Sequence, residues 1–351
     1  MGAVAGMPGV GPDRGCLATA RDVAWLAVDD QSVVGAARRV ATALAQRLAF
    51  PETRVAEVGI VVTEMASNLH KHADHGRLLI RSLHDGVSAA VEVLATDSGP
   101  GMADPSTAFR DGQSTTGTLG IGLGTVRRLA NTCQMLSEPG VGTVLSARMW
   151  PRREVGPSGQ ETIAGITRAI EGEDVCGDAY AARQLGGTLW LMLCDGAGHG
   201  PLAAIASQRA VDVFCTGQPS SPDIAVRQIH EALSGTRGGA VAVAEVTASA
   251  VRFAGVGNVA AALVDVTSKR SMVSLPGIAG YQARSIKLFE YPLAPDAAVV
   301  LHSDGLTERW TLSGRRTLLA GDPLPIAAVL LREAGVRRDD ASILVAKAAR
   351  P

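Results

Sequence analysis

Residues 61–74 read VVTEMASNLHKHAD, and the reading of this stretch decides the fold of the first half of the chain. Apolar residues recur at helical spacing through 52–74, directly after Pro51, which predicts one long helix. Glu64 and Asn68 lie four residues apart and so share a face of it. Glu64 can take a proton, and Asn68 offers a neutral oxygen suited to a hard cation. An isolated pair of this kind is more often a solvated helix face, so its weight depends on what surrounds it.

Before this helix, residues 19–28 read as a strand and 32–48 as an amphipathic helix. After it, 76–97 reads as a hairpin turning at Asp85-Gly86. The hairpin runs into TDSGPGM at 96–102. There the Asp97 carboxylate could accept a bond from an exocyclic amine, while Gly99 and Gly101 let backbone approach a flat ring. GTLGIGLG at 117–124 supplies Gly117, Gly120, Gly122 and Gly124 ahead of a predicted helix at 122–132. A glycine-rich turn at a helix N-terminus is a phosphate cradle. A strand over 140–150, carrying Gly142-Thr143, completes an α+β layer of sheet covered by helices.

The 351 residues are enough for two domains, each with its own core. With 33 Lys plus Arg against 34 Asp plus Glu, the chain lacks the basic footprint of a nucleic-acid binder or a membrane-surface protein. No apolar run reaches the roughly 18 residues of a membrane span. The start, MGAVAGMPGVGPDRG, has no basic region or apolar core of a signal peptide and reads as a disordered lead. The five cysteines, Cys16, Cys133, Cys176, Cys194 and Cys215, are scattered and include no C-x-x-C pair. That pattern predicts free thiols, no zinc site and a cytoplasmic, reducing location.

The seam is WPRREVGPSGQE at 150–161, polar and interrupted by Pro and Gly. It divides the chain into a lead (1–18), a first domain (19–150), a linker (151–160) and a second domain (161–351). The second domain opens with a strand at 162–170 and a hairpin over 178–195 around Gly186-Gly187. Helices at 201–215 and 222–234 follow, then strands within 240–275, a strand at 297–304, a helix at 325–335 and a strand at 342–348. That order suggests a β-sandwich flanked by helices. Asp178, Asp195, Asp304, Asp339 and Asp340 all fall beside apolar strands. One Asp at a strand end is ordinarily a turn residue, but several gathered at one end of a sandwich are stable only around a cation. An all-oxygen set points to Mg²⁺ or Mn²⁺.

In their order, VVTEMASNLHKHAD, ATDSGPGM, TGTLGIGLGTVRRL and GTVLSARMW resemble the Bergerat-fold, histidine-kinase-like (GHKL) ATPases. The likeness is to the serine/threonine switch kinases of bacterial anti-sigma and stressosome systems. It implies an α/β sandwich over 19–150 that binds ATP with Mg²⁺. Glu64 would be the general base, Asn68 the Mg²⁺ ligand and Asp97 the partner of the adenine amine. Gly117 to Gly124 would form the lid, and Thr143 would meet the adenine edge. A sensor histidine kinase would need a phosphoacceptor His on a preceding helical hairpin. His70, His72 and His75 instead lie on or just after the helix that carries Glu64.

GDAY, DGAGHGPLAAIAS, HSDGLTE and DDASILVA resemble, in order, the SpoIIE-like branch of the metal-dependent protein phosphatase 2C family. The likeness implies an α-β-β-α domain holding two Mg²⁺ or Mn²⁺ ions. Asp195 would bridge them, Gly196 would lend its carbonyl, and Asp178, Asp304 and Asp339 or Asp340 would complete the shells. His199 reads either as a general acid or as a loop residue, and Cys176, where relatives commonly carry Gly, as a packing difference. No cysteine is followed by Arg six positions later, which excludes a cysteine phosphatase.

Together the resemblances imply a cytoplasmic, bifunctional kinase and phosphatase acting on a STAS-domain anti-sigma antagonist or a stressosome protein. A sigma factor, a partner phosphatase or a second copy of the chain are further candidate partners. Two other readings stay open: an ATP-binding module that sequesters partners, and a phosphatase regulated by ATP.

Overall fold

The structure, a computed structural model, describes residues 16, 19–84, 88–105, 107–109, 122–153, 161–336 and 338–347. The Asp85-Gly86 turn, Gly117 and Gly120 lie outside these residues, as do most of the lead and linker.

The first half is built from β1 (Thr19–Ala27), α1 (Gln31–Arg47), α2 (Glu52–His72), β2 (Arg77–His84), β3 (Ala89–Thr96), α3 (Gly122–Leu129), β4 (Thr132–Glu138) and β5 (Gly142–Met149). The Asp30 carboxylate caps α1 by accepting the Ser32 N–H at 2.6 Å. The strands form one antiparallel sheet in the order β1-β2-β3-β5-β4. Val58, Val61, Val62, Met65, Ala66 and Leu69 form the buried stripe of α2. With Val34, Ala37, Ala41 and Leu44 of α1, they pack on one face of that sheet.

The second half continues with β6 (Ile163–Arg168), β7 (Asp178–Leu185), β8 (Thr188–Gly196), α4 (Pro201–Thr216), α5 (Pro222–Ala232), β9 (Gly239–Val246), β10 (Ala250–Val256), β11 (Ala260–Val264), β12 (Lys269–Met272), β13 (Phe289–Pro292), β14 (Ala298–His302), α6 (Arg316–Ala320), α7 (Pro323–Ala334) and β15 (Ala341–Lys347). Two antiparallel sheets, β13-β10-β9-β8-β7 and β12-β11-β14-β15-β6, face each other across a core that includes Leu191, Phe253, Leu263 and Leu344. Helices α4 and α5 cover the outer face of the first sheet. The β7–β8 turn is Gly186-Gly187, with φ of 58° and 79°, as a two-residue hairpin of this twist requires.

Helix α7 is apolar on nearly every side, with Leu324, Ile326, Ala327, Val329, Leu330 and Leu331 buried. A helix of that kind needs a wall on both sides. One wall is the sandwich sheet containing β6 and β15. The other is the face of the first-half sheet that α1 and α2 leave open, through Leu79, Leu94 and Val144. The layers therefore run continuously: α1/α2, sheet, α7, sheet, sheet, α4/α5. Polar contacts reinforce this contact between halves. Trp25 Nε1 donates to the Thr167 carbonyl at 2.8 Å, and the Asp22 carboxylate accepts the Thr167 N–H at 3.0 Å. Arg81, buried beside Glu92, donates to the Gly165 carbonyl at 2.6 Å.

Several expectations need correction. The helix predicted over 122–132 ends at Leu129, and an unpredicted strand, β4, begins at Thr132. Cys133 and Met135 pack there as partly buried strand residues. Strand β13 and the short α6 were not foreseen. Cys16 and Cys215, predicted free, form a disulfide with Cα atoms 5.3 Å apart. Their 199-residue separation gives no local pattern, so only the fold reveals the pairing. Cys133, Cys176 and Cys194 are free.

Candidate functional site

Two groups of polar residues stand apart on this scaffold. The first surrounds Asp97, just past the end of β3. The Asp97 N–H donates to the Thr143 carbonyl at 3.0 Å, and the next peptide N–H, of Ser98, donates to the Asp74 carbonyl at 2.9 Å. The loop is thus tied both to β5 and to the chain just beyond α2. Asp97 Oδ1 accepts the Gly99 N–H at 2.8 Å. Half-buried, the Asp97 carboxyl titrates above the ordinary range: burial raises it more than the Gly99 N–H and nearby Arg332 lower it.

Gly101 has φ of 64°, and a Cβ there would collide with the Glu138 carbonyl. Gly142 has no room either, because a Cβ would strike the Asp97 carbonyl oxygen. The Thr143 hydroxyl meets Ser137 Oγ at 2.8 Å, and Ser137 Oγ accepts the Met102 N–H at 2.8 Å. Glu64 and Asn68 are half-buried on α2, and Gly122 and Gly124 lie in the first turn of α3. The fold thus joins Asp97, Gly99, Gly101 and Thr143 directly, with α2 behind them.

The second group lies at one end of the sandwich. Asp178 and Asp195 are direct cross-strand partners on β7 and β8. Like charges so placed repel. One oxygen of each, Oδ2, is buried without a hydrogen-bond partner. Burial raises the Asp178 pKa, and Asp340 and Asp304 add to that, while the Ser303 and Ser342 hydroxyls pull it down. Asp195 is raised by burial first, then by Asp178, Asp304 and Asp339. Asp339 is raised by burial and by Asp304. These directions record mutual proximity: Asp178, Asp195, Asp304 and Asp339 share one field.

Asp340 does different work. Its Oδ1 accepts the Ile170 N–H and its Oδ2 the Gly177 N–H, each at 2.7 Å. It is a buried brace for the chain leading into Asp178. Asp304 is exposed and accepts a bond from the Asn258 side chain. Asn258 is therefore a neighbour of this acidic group. Gly305 packs so closely on the Asp340 carbonyl that a Cβ would not fit. Gly196 is equally confined, against the Ala203 carbonyl. His199 Nδ1 pairs with Glu173 Oε1 at 2.9 Å on the surface, which favours the loop-residue reading.

Among the described residues, no three His, Cys, Asp or Glu side chains already form a metal cage. Two buried, unpartnered carboxylate oxygens on cross-strand partner residues are nonetheless a donor set that fits a hard divalent cation. Sequence reading missed Asn258, Ser303, Ser342, Ser137 and Arg332. Ser303 and Ser342 were within reach, since they flank Asp304 and the Asp339-Asp340 pair in the quoted motifs. Arg332 gave no local signal.

Comparison with known proteins gives a separate match for each half. The family described as histidine kinase-like ATPase domain matches residues 27–149, and stage II sporulation protein E (SpoIIE) matches residues 186–349. The serine/threonine-protein kinase RsbT of Bacillus subtilis (strain 168) is 33% identical over 117 residues, which are 33% of this chain and 88% of RsbT. A structure solved in work on the bacterial stressosome is 28% identical, covering 53% of this chain and 98% of that one, with a TM-score of 0.48. RsbX in complex with magnesium is 18% identical, covering 54% and 96%, with a TM-score of 0.46. The serine/threonine phosphatase Stp1 from Staphylococcus aureus is 17% identical, covering 55% and 96%, with a TM-score of 0.44. The chain belongs to the histidine kinase-like ATPase family through its first half, and its second half matches the SpoIIE family over residues 186–349.

Proposed function

We propose that the chain is a two-site regulator of partner switching, in which residues 19–150 form an ATP-dependent serine/threonine kinase and residues 161–351 a divalent-metal-dependent phosphoserine/phosphothreonine phosphatase. The observation that carries this reading is the opposed Asp178–Asp195 pair with its two orphaned oxygens, on the same chain as the Asp97–Thr143 junction.

In the first half, Asp97 Oδ1 is engaged by Gly99, so Oδ2 is the oxygen that would accept the adenine amine. Thr143, fixed by Ser137, would border the adenine edge. Glu64 would take the proton of a substrate hydroxyl, and Asn68, one turn away, would hold the Mg²⁺ of Mg-ATP. Gly117, Gly120, Gly122 and Gly124 would close over the phosphates. In the second half, Asp195, Asp178, Asp304, Asp339 and the Gly196 carbonyl would hold two Mg²⁺ or Mn²⁺ ions. Asp340 would brace the site from behind, since both its oxygens already accept main-chain N–H groups. When bound, the ions would supply a water of lowered pKa for in-line attack on phosphorus. Asn258 would hold or release Asp304.

The substrate is proposed to be a STAS-type anti-sigma antagonist or a stressosome protein, phosphorylated at one site and dephosphorylated at the other. That setting places the protein in the cytoplasm, where a reducing pool would open the Cys16–Cys215 cross-link. Among the described residues, no helix is long and apolar enough to cross a membrane. The test uses two variants on such a substrate. Glu64→Ala should reduce phosphate transfer from ATP by about 10²–10⁴-fold and leave the phosphatase intact. Asp195→Ala should do the reverse. Loss of both activities in either folded variant would defeat the two-site reading.

A further inference from the structure

We propose that Arg332 is a positioning residue of the nucleotide site, supplied by the phosphatase half, and that through it nucleotide occupancy regulates the phosphatase. The inference rests on the two-site reading above and adds the link between the sites.

Arg332 stands in the last turn of α7, its side chain 11% exposed. Its Nη1 donates to the main-chain carbonyl of Asp97 at 2.6 Å, across the junction of the halves. Its Nη2 donates to Glu333 Oε1 at 3.1 Å, and Arg315 Nη1 holds the same oxygen at 2.9 Å. The guanidinium is therefore fixed on two sides. Gly142 leaves the room it needs, since a Cβ at that position would lie 2.9 Å from Arg332 Nη1 as well as striking the Asp97 carbonyl. The Asp97 N–H is held by Thr143 within its own sheet, whereas its carbonyl is held from the other half. The direction of the Asp97 carboxylate, and hence its fit to an adenine amine, depends on both.

Two to four residues further on, the C-terminal end of α7 and the residues just past it meet the chain beside the second site. The Ala334 carbonyl accepts the Thr307 N–H at 2.9 Å, and the Val336 N–H donates to the Gly305 carbonyl at 2.7 Å. Leu306 and Gly335 form a bridge between these two bonds. Gly305 follows Asp304 directly and is packed against the Asp340 carbonyl without space for a Cβ. A shift of α7 driven at Asp97 would be felt at Asp304. Packed between two sheets, the helix has little freedom to absorb such a shift locally. Coupling of this kind is reciprocal in binding free energy.

The test uses ADP and GDP as probes with Mg²⁺ held constant, and p-nitrophenyl phosphate as a phosphatase substrate. In the wild-type chain, ADP should change phosphatase kcat/KM by about fivefold or more. It should also slow amide exchange at Thr307 and Val336, a measurement that needs no variant. Arg332→Met, which keeps the apolar stem, should weaken ADP binding about fivefold by calorimetry, narrow the ADP-over-GDP preference and abolish the ADP effect on the phosphatase. Arg332→Lys should restore part of each. A purely structural role would weaken ADP and GDP alike and leave their ratio unchanged, which would overturn the proposal. ADP that binds the wild type but alters neither phosphatase nor exchange would overturn it too, leaving the two-site reading standing. Failure of ADP to bind the wild type at all would defeat both.

Discussion

At the scale of single residues, Asp178 and Asp195 carry the sharpest tension in the molecule. Each is raised in pKa, chiefly by burial and then by its acidic neighbours. The folded state therefore holds their protons more tightly than the unfolded chain does. Their contribution to stability is present below the ordinary carboxylate range near 3.8 and is lost as pH rises through the raised values. Metal-free protein should accordingly show a lower urea midpoint at pH 8 than at pH 5.5. Asp195→Asn removes the opposed charge. It should abolish phosphatase activity yet stabilise the metal-free chain at pH 8 by on the order of 1 kcal/mol, with a flatter pH profile. A variant less stable than wild type at pH 8 would show that the pair is not repulsive. Adding Mn²⁺ should raise the melting temperature of the wild type and leave the variant nearly unmoved.

Among the elements, the loops at strand ends govern the site because they bring backbone to backbone. Gly142 is the case to test, since it opens β5 with φ of 118° and faces the Asp97 carbonyl. Gly142→Ala must move that carbonyl or β5 itself, at a cost of about 1–3 kcal/mol. The expected outcome is a lower denaturation midpoint together with weaker ADP binding, measured by urea titration and calorimetry. Unchanged ADP affinity would separate Gly142 from the nucleotide site. The helices were the more legible elements. The buried stripe of α2 carried its period openly, and the Gly186-Gly187 turn announced β7 and β8. Strand β4 was hidden because TCQMLSE has no strict alternation and follows α3 after only two residues. Its pairing with β5 holds it in place.

For the whole molecule, the junction of the halves is a built core. Glu92, fully buried, pairs with Arg81 at 2.5 Å and with Arg148, and Arg148 pairs in turn with Glu161. Burial alone would raise the Glu92 pKa, but Arg148 and Arg81 more than reverse it, so the carboxyl stays below its usual range. Glu92→Ala would leave two buried guanidinium groups without their shared partner, at about 3–5 kcal/mol. Thermal unfolding should show that loss in both halves at once, because α7 and this network tie the two sheets together. A variant that melts in two separate steps, with the SpoIIE half unaffected, would show that the halves fold independently.

The sequence by itself determined the α+β class of the first half, the sandwich of the second, and the candidate residues Glu64, Asn68, Asp97, Asp178, Asp195 and Asp304. Each of these sits in a motif whose spacing reflects local periodicity or a local turn, and such patterns survive in a one-dimensional string. Tertiary structure alone decided that Asp340 braces while Asp339 faces the acids, that Cys16 meets Cys215, and that α7 is shared by both halves. Sequence marked a helix at 325–335 but could not say what it packs against. Arg332 and Asp97 are 235 residues apart. Contact at that distance along the chain is set by the packing of layers, which no repeat or motif in either segment encodes.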